Sequence, residues 1–165
     1  APVGEESVAD PNRKGPAFKT EAERIAAAET KLREVVTKHS RTDAAQIANL
    51  YLAQIELSKG QSDSALKLYE EFVRKNSSSL LAGSAQMSAY QIRLAADPKA
   101  VIPDLEKASQ DEKSIVPKES VLSLLAEAYE KSGDKAKSLD IYRRIATEFP
   151  QSAYASDAQQ KMNRS

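Results

Sequence analysis

From Phe18 onward, apolar side chains recur at three- and four-residue intervals, the spacing of a helix face turned towards a core. Ile25, Ala28, Leu32, Val35 and Val36 mark the first such face. Thr20 followed by Glu23 has capping-box spacing, so a first helix is expected to end around His39. A second is expected from Asp43, as N-cap, to about Lys59, with Ile47, Leu50, Leu52, Ala53 and Leu57 as its apolar positions and Gly60 just past its end. A third, about Ser62 to Lys75, buries Ala65, Leu68, Tyr69, Phe72 and Val73, and a fourth runs from about Ser79 to Ala96. Asp97-Pro98 reads as an N-cap with proline at the first helical position. Pro103 then lacks the N–H that a helix interior needs and its ring crowds the preceding turn, so this fifth helix is expected to be shortened or kinked before Pro103 and to end near Ser109. Pro117 opens a sixth helix ending at Gly133; a seventh spans about Lys135 to Glu148, and a short eighth about Ser152 to Asn163.

The first residues break this pattern. Ala1 to Pro16 hold three Pro and two Gly with almost no large apolar side chain, too little to offset the entropy of ordering. Residues 1–17 are therefore expected to be a disordered linker or a cloning remnant, and 18–165 the helical domain.

Helices of this length joined by short turns prompt a search for a period. Lys59-Gly60-Gln61-Ser62 aligns with Ser132-Gly133-Asp134-Lys135 at a separation of 73, which brings Tyr69 onto Tyr142 and Leu52-Ala53 onto Leu125-Ala126. A worn middle copy follows from the half-period: Ala53, Ala89 and Ala126 share one position, and Tyr69, Leu105 and Tyr142 another. The first helix keeps register too, with Ala28, Leu32 and Val35 corresponding to Ala65, Tyr69 and Phe72. The expected organisation is a half-repeat (18–40), three helical hairpins (about 44–77, 80–113 and 117–150) and a terminal helix (152–163).

The pattern of Leu52-Ala53, Gly60, Ala65 and Tyr69, and again of Leu125-Ala126, Tyr129, Gly133, Tyr142 and Pro150, is similar to the tetratricopeptide consensus; the middle copy lacks the glycine and both aromatics. The usual repeat is about 34 residues, the extra ones here lying in the inter-repeat turns. This resemblance implies an all-α, right-handed α-α superhelix of antiparallel hairpins. The turn from Phe149 to Ala158 also resembles those of bacterial envelope tetratricopeptide proteins: outer-membrane assembly lipoproteins, Tol-Pal-associated factors and the anchored YfgM-type translocon accessory protein. It implies a periplasmic or cell-envelope location, anchored through a segment ahead of Ala1, with the cytoplasm as the alternative.

Stacked hairpins share one core and leave a concave surface lined by the first helix of each. In the families this chain resembles, extended or helical peptides lie there. By register the lining includes Leu50, Gln54, Leu57, Gln86, Tyr90, Arg93, Leu94, Ser123, Glu127, Glu130 and Lys131. The partner-binding candidates are Gln54, Leu57, Gln86, Tyr90, Arg93, Glu127, Glu130 and Lys131. Tyr90 with Arg93 stands out because both types are enriched at binding hot spots, although Tyr90 fits equally well as a core residue of the worn repeat. The Lys and Asn of the carboxylate clamp found in chaperone-binding relatives are absent; Leu50 and Gln54 stand at the corresponding first-repeat places.

Composition narrows the function further. Lys plus Arg and Asp plus Glu are 24 each, with no dense basic block, which argues against a nucleic-acid partner. No apolar run reaches about eighteen residues, so no membrane insertion is expected, and the start at Ala1 shows no signal pattern; any targeting segment was removed or never present. With no Cys and His39 as the one histidine, in an expected turn, neither a zinc site nor a Cys–His dyad can be assembled. Neighbouring carboxylates such as Glu70-Glu71 diverge on a helix. The expectation is no enzyme, no cofactor and no metal, but a scaffold holding a protein or peptide. A module that self-associates through its terminal helices as a homodimer is the alternative.

Overall fold

A computed structural model describes residues 20–164. The expected linker over 1–17 and the first residues of the repeat domain lie outside them. The described residues form α1 (Glu21–Lys38), α2 (Asp43–Ser58), α3 (Ser62–Lys75), α4 (Ala82–Ala96), α5 (Pro98–Gln110), α6 (Lys118–Ser132), α7 (Lys135–Glu148) and α8 (Ala153–Asn163). Each helix packs on the next, and α4 and α6 also meet, as do α6 and α8. The result is an all-α helical-repeat solenoid.

Local chemistry sets the helix limits. Thr20 Oγ1 accepts from the Glu23 amide at 3.1 Å and caps α1. The cap of α2 is Thr42 rather than Asp43: its hydroxyl accepts from the Ala45 amide at 3.2 Å, and Asp43 instead supplies negative charge to the first turn, where the helix dipole favours it. Asp97 caps α5 through the amides of Lys99 and Ala100. Gly60 and Gly133 follow α2 and α6 at φ 76° and 89°, left-handed geometry that glycine adopts without Cβ strain.

Two further expectations are corrected. The fourth helix begins at Ala82, not Ser79, because residues 77–81 are held as turns by Ser79 N–H to Asn76 O (2.9 Å) and Ala82 N–H to Ser79 O (3.0 Å). The fifth is not cut short at Pro103 but runs from Pro98 to Gln110. Pro103 is exposed, so the carbonyl it deprives of a donor lies on the solvated side of the helix.

The core falls into three clusters stacked along the solenoid. Ala53, Ala65, Tyr69, Phe72, Ala85, Ala89 and Ile92 form the first, between α2, α3 and α4. The third joins Leu122, Ala126, Tyr142, Ile145 and Ala158 between α6, α7 and α8. Ala53, Ala85 and Ala126 let the backbones approach while Tyr69 and Tyr142 fill the remaining volume. The middle cluster is built differently. Leu105 holds the position of those tyrosines, and Tyr90 of α4, at the place of Gln54 and Glu127, is buried beside it with Leu94, Val101 and Tyr129. The aromatic ring lost from the second helix of the worn hairpin is thus supplied by its first. α4 and α5 nevertheless pack less extensively than the members of the other hairpins.

The α5–α6 loop compensates by leaning on α4. A Cβ at Gly83 would lie 2.5 Å from the backbone oxygen of Ile115, so only glycine allows this approach. Val116, next in the loop, is buried in the middle cluster.

Candidate partner-binding groove

The first helices of successive hairpins, α2, α4, α6 and finally α8, line one face, marked by three depressions and a fourth adjoining the first. The first, about 200 Å³, lies in the seam between α2 and α4, over Tyr69 of α3. Leu50 and Gln54 line it with Ser84, Ala85 and Ser88; Ile47, Tyr51 and Leu81 also line it and are 42%, 54% and 40% exposed. Ser88 also borders the adjoining depression of about 360 Å³, which Leu57 enters with Gln91, Ile92 and Ala95. Leu57 is exposed.

The second, about 360 Å³, lies between α4, α5 and the following loop, and brings together Gln86, Tyr90 and Arg93 with Asp104 and Lys107. Arg93 is already engaged: its Nη2 is 2.6 Å from Asp104 Oδ2. Tyr90 presents only an edge, being buried; burial raises its phenol above the ordinary range and the nearby Asp104 charge adds to that, with Arg93 opposing. Leu94 does not line the groove but belongs to the core.

The third, about 400 Å³, is charged. Ser123, Glu127, Glu130, Lys131, Asp157 and Lys161 surround the Tyr142 ring between α6 and α8. Lys131 pairs with Glu127 at 2.8 Å. Lys161 Nζ sits 2.9 Å from Glu130 Oε2, and the Tyr142 hydroxyl donates to the same oxygen at 3.1 Å. The Lys161 ammonium holds the Glu130 carboxyl below its usual range. Burial, and then the Glu130 charge, push the Tyr142 phenol well above its own.

The candidate residues are thus distributed over three separate places: Gln54 and Leu57 in the first seam, Gln86, Tyr90 and Arg93 in the middle, Glu127, Glu130 and Lys131 in the third. Register reasoning missed Ile47 and Tyr51 of α2 and Leu81 of the preceding turn. A signal for Tyr51 was present: Leu50-Tyr51-Leu52-Ala53 is a run of four apolar residues, more than one helix face can turn inward at once. His39 is exposed between α1 and α2, and its carbonyl accepts from the Thr42 amide (2.9 Å) and hydroxyl (2.8 Å). Among the described residues, no group of three or more His, Asp or Glu side chains could hold a metal ion, and no helix is long and apolar enough to cross a membrane.

Comparison with protein families finds two matches, one on either side of the worn hairpin's second helix. Residues 17–96 match a tetratricopeptide repeat-like domain. Residues 120–152 match the tetratricopeptide repeat itself. Searches of curated proteins and of solved structures returned no match. The two matches, the alanine-lined helix contacts and the tyrosines that fill the gaps beside them agree, and the chain belongs to the tetratricopeptide repeat family.

Proposed function

We propose that this chain is an interaction scaffold that holds a segment of another protein in the groove lined by α2, α4, α6 and α8, as part of a bacterial envelope assembly. Tetratricopeptide repeats generally mediate protein–protein interaction, which supports the class of function. The observation that carries the groove reading is the seam between α2 and α4, where Ile47, Tyr51 and Leu81 remain exposed around a depression. Side chains of this kind gain most from being covered, and aromatic residues are enriched at the centres of interfaces. The envelope location rests on the likeness of the Phe149–Ala158 turn to those of envelope relatives.

The test is site-specific photo-crosslinking in bacterial envelope fractions. A probe at Tyr51, at Glu127 or at both is expected to trap a partner, while one at Lys67, exposed on the second helix of its hairpin, traps none. Equal trapping at all three positions, or trapping at Lys67 alone, overturns the groove reading.

Self-association is the second reading, favoured by one observation: α1 has no buried residue, and its Ile25 and Leu32 are only half-covered by α2. Light scattering over a concentration series decides it, since a dimer weakened by Ile25→Ser would move the binding surface from the groove to the end of the solenoid.

A further inference from the structure

The first and third repeats stand 73 residues apart, so their groove positions pair off: Leu57 with Glu130, Gln54 with Glu127, Ser84 with Asp157, and Ser88 with Lys161. In the third repeat two of these residues bridge the groove helices beside a charged depression. Lys161 reaches from α8 to Glu130 on α6 at 2.9 Å, and the two helices pack together. In the first repeat the equivalent residues, Ser88 and Leu57, line one depression and form no ion pair. One half of the groove is thus latched by an ion pair, and the other, which we call the open half, has none.

The open half also has a distinct chemistry. None of the side chains lining its two adjoining depressions is Lys, Arg, Asp or Glu, in a chain that is 29% charged. Its α2 wall carries Ile47, Tyr51 and Leu57, all exposed. Its α4 wall carries Ser84, Ser88, Gln91 and Ala95 at spacings of four, three and four, a helical ridge of short or uncharged side chains. Small residues on such a ridge let another helix approach to the roughly 8–10 Å typical of packed helices. Residues 47–57 of α2 line this trough, roughly 16 Å at about 1.5 Å per residue, which accommodates at least three helical turns. Asp43 and Lys75 lie beyond the end marked by Ile47 and Leu81, but a charge brought to its middle meets no counter-charge and loses hydration, which selects against ionised side chains at the centre of an occupant's buried face.

We propose that the occupant of the α2/α4 seam is a helical segment of a partner protein presenting an uncharged, apolar stripe of three to four turns, and that the latched α6/α8 half does not hold it. This rests on the groove reading above and adds where in the groove the partner lies and what face it shows.

The test uses the full chain and a labelled peptide of roughly sixteen residues, with leucine along one helical stripe and glutamine or alanine elsewhere. Binding is followed by fluorescence anisotropy. The neutral-stripe peptide binds, and replacing a central stripe leucine by lysine or by glutamate weakens it about tenfold or more. Leu57→Glu combined with Ser88→Lys, which transplants the latch of the third repeat, weakens binding by a similar factor; Ser84→Arg is a second, independent block. Lys67→Ala, on the second helix of its hairpin and outside the groove, leaves affinity within about twofold, as for sites that do not couple. Circular dichroism reports that each variant stays helical. Failure of the neutral peptide to bind, equal binding of the charged-stripe peptides, or indifference to both blocks overturns the proposal. If photo-crosslinks then still trap a partner at Glu127 but not at Tyr51, the groove reading survives without this inference; no trapping at either groove position removes both.

Discussion

Arg33 of α1 reaches Glu56 of α2, Nη2 to Oε1 at 2.7 Å, and Glu56 is 5% exposed. Seventy-three residues on, the same two positions are Glu106 of α5 and Tyr129 of α6, joined by a hydrogen bond from the Tyr129 hydroxyl to the carboxylate. The joint between a hairpin and the helix before it is thus polar ahead of both the first and the third hairpin, with the chemistry exchanged. The Arg33 joint is also wider: Glu29 accepts from Arg33 at 2.8 Å and from Lys59, tying the end of α2 to α1. α1, which has no buried residue, is held through these contacts as well as by its half-buried Ile25, Leu32 and Val36.

Arg33→Ala is expected to destabilise the chain by roughly 1–2 kcal/mol, because a carboxylate out of water loses its charged partner; the exposure of Arg33 keeps the figure low. Adding Glu56→Leu should recover most of the loss, since an apolar pair needs no partner. Urea unfolding of both single variants and the double variant measures the coupling, and additive losses would mean that the two side chains act independently.

Tyr129 and Tyr142 make the chain sensitive to alkali. Burial and the Glu106 carboxylate push the Tyr129 phenol up to about 12, from an ordinary 10.0. Tyr142 moves in the same direction through burial and the Glu130 charge. Above the unfolded value the unfolded chain releases these protons while the folded chain keeps them, so stability is full below pH 10.0 and declines as pH rises towards the folded values. The urea midpoint should fall across that window, and Tyr142→Phe should flatten the fall; an unchanged slope in the variant would assign the effect to other groups.

Gly83→Ala should cost about 2 kcal/mol or more, although alanine is the better helix former by about 1 kcal/mol. The new Cβ would meet the Ile115 backbone oxygen at 2.5 Å, and a loop backbone anchored by buried Val116 has little room to retreat. Gly60→Ala meets no atom within 4 Å and should lose only about 1–2 kcal/mol, through its positive φ. Thermal unfolding of the two variants separates clash from conformational strain.

Tyr90→Ala and Tyr51→Ala should fail in different assays. Tyr90 is 9% exposed within the middle cluster, and its truncation is expected to cost about 3–5 kcal/mol in stability. Tyr51 is 54% exposed, so its loss should change stability by no more than about 0.5 kcal/mol while weakening capture of a groove ligand. Parallel melting and binding measurements on the two variants distinguish them, and a melting loss for Tyr51→Ala would place that ring in the core.

The fold was legible because the repeat repeats its physics. The alanines at 53, 89 and 126 and the tyrosines at 69 and 142 recur wherever helices must approach or a gap must be filled, and register alone located them. What escaped depended on departures from register. Leu105 in place of a tyrosine left Tyr90 open between groove and core, and register could not decide that it turns inward from α4. Pro103 is tolerated because of the side of the helix it occupies, which a local rule about proline does not include. Ile47 and Leu81 come together at one depression from α2 and from the turn before α4, a proximity created by packing rather than by spacing.

The thin contact between α4 and α5 has a mechanical consequence. In a repeat array each unit touches only its neighbours, so compliance adds in series and flexing concentrates at the softest joint. That joint falls where the longer family match ends, between the uncharged seam and the charged depression. Bending there changes the separation of the two halves without deforming either, as the jaws of a calliper move about one pivot. The Ile115 backbone, lying close over Gly83 on α4, leaves such bending little room in the closing direction.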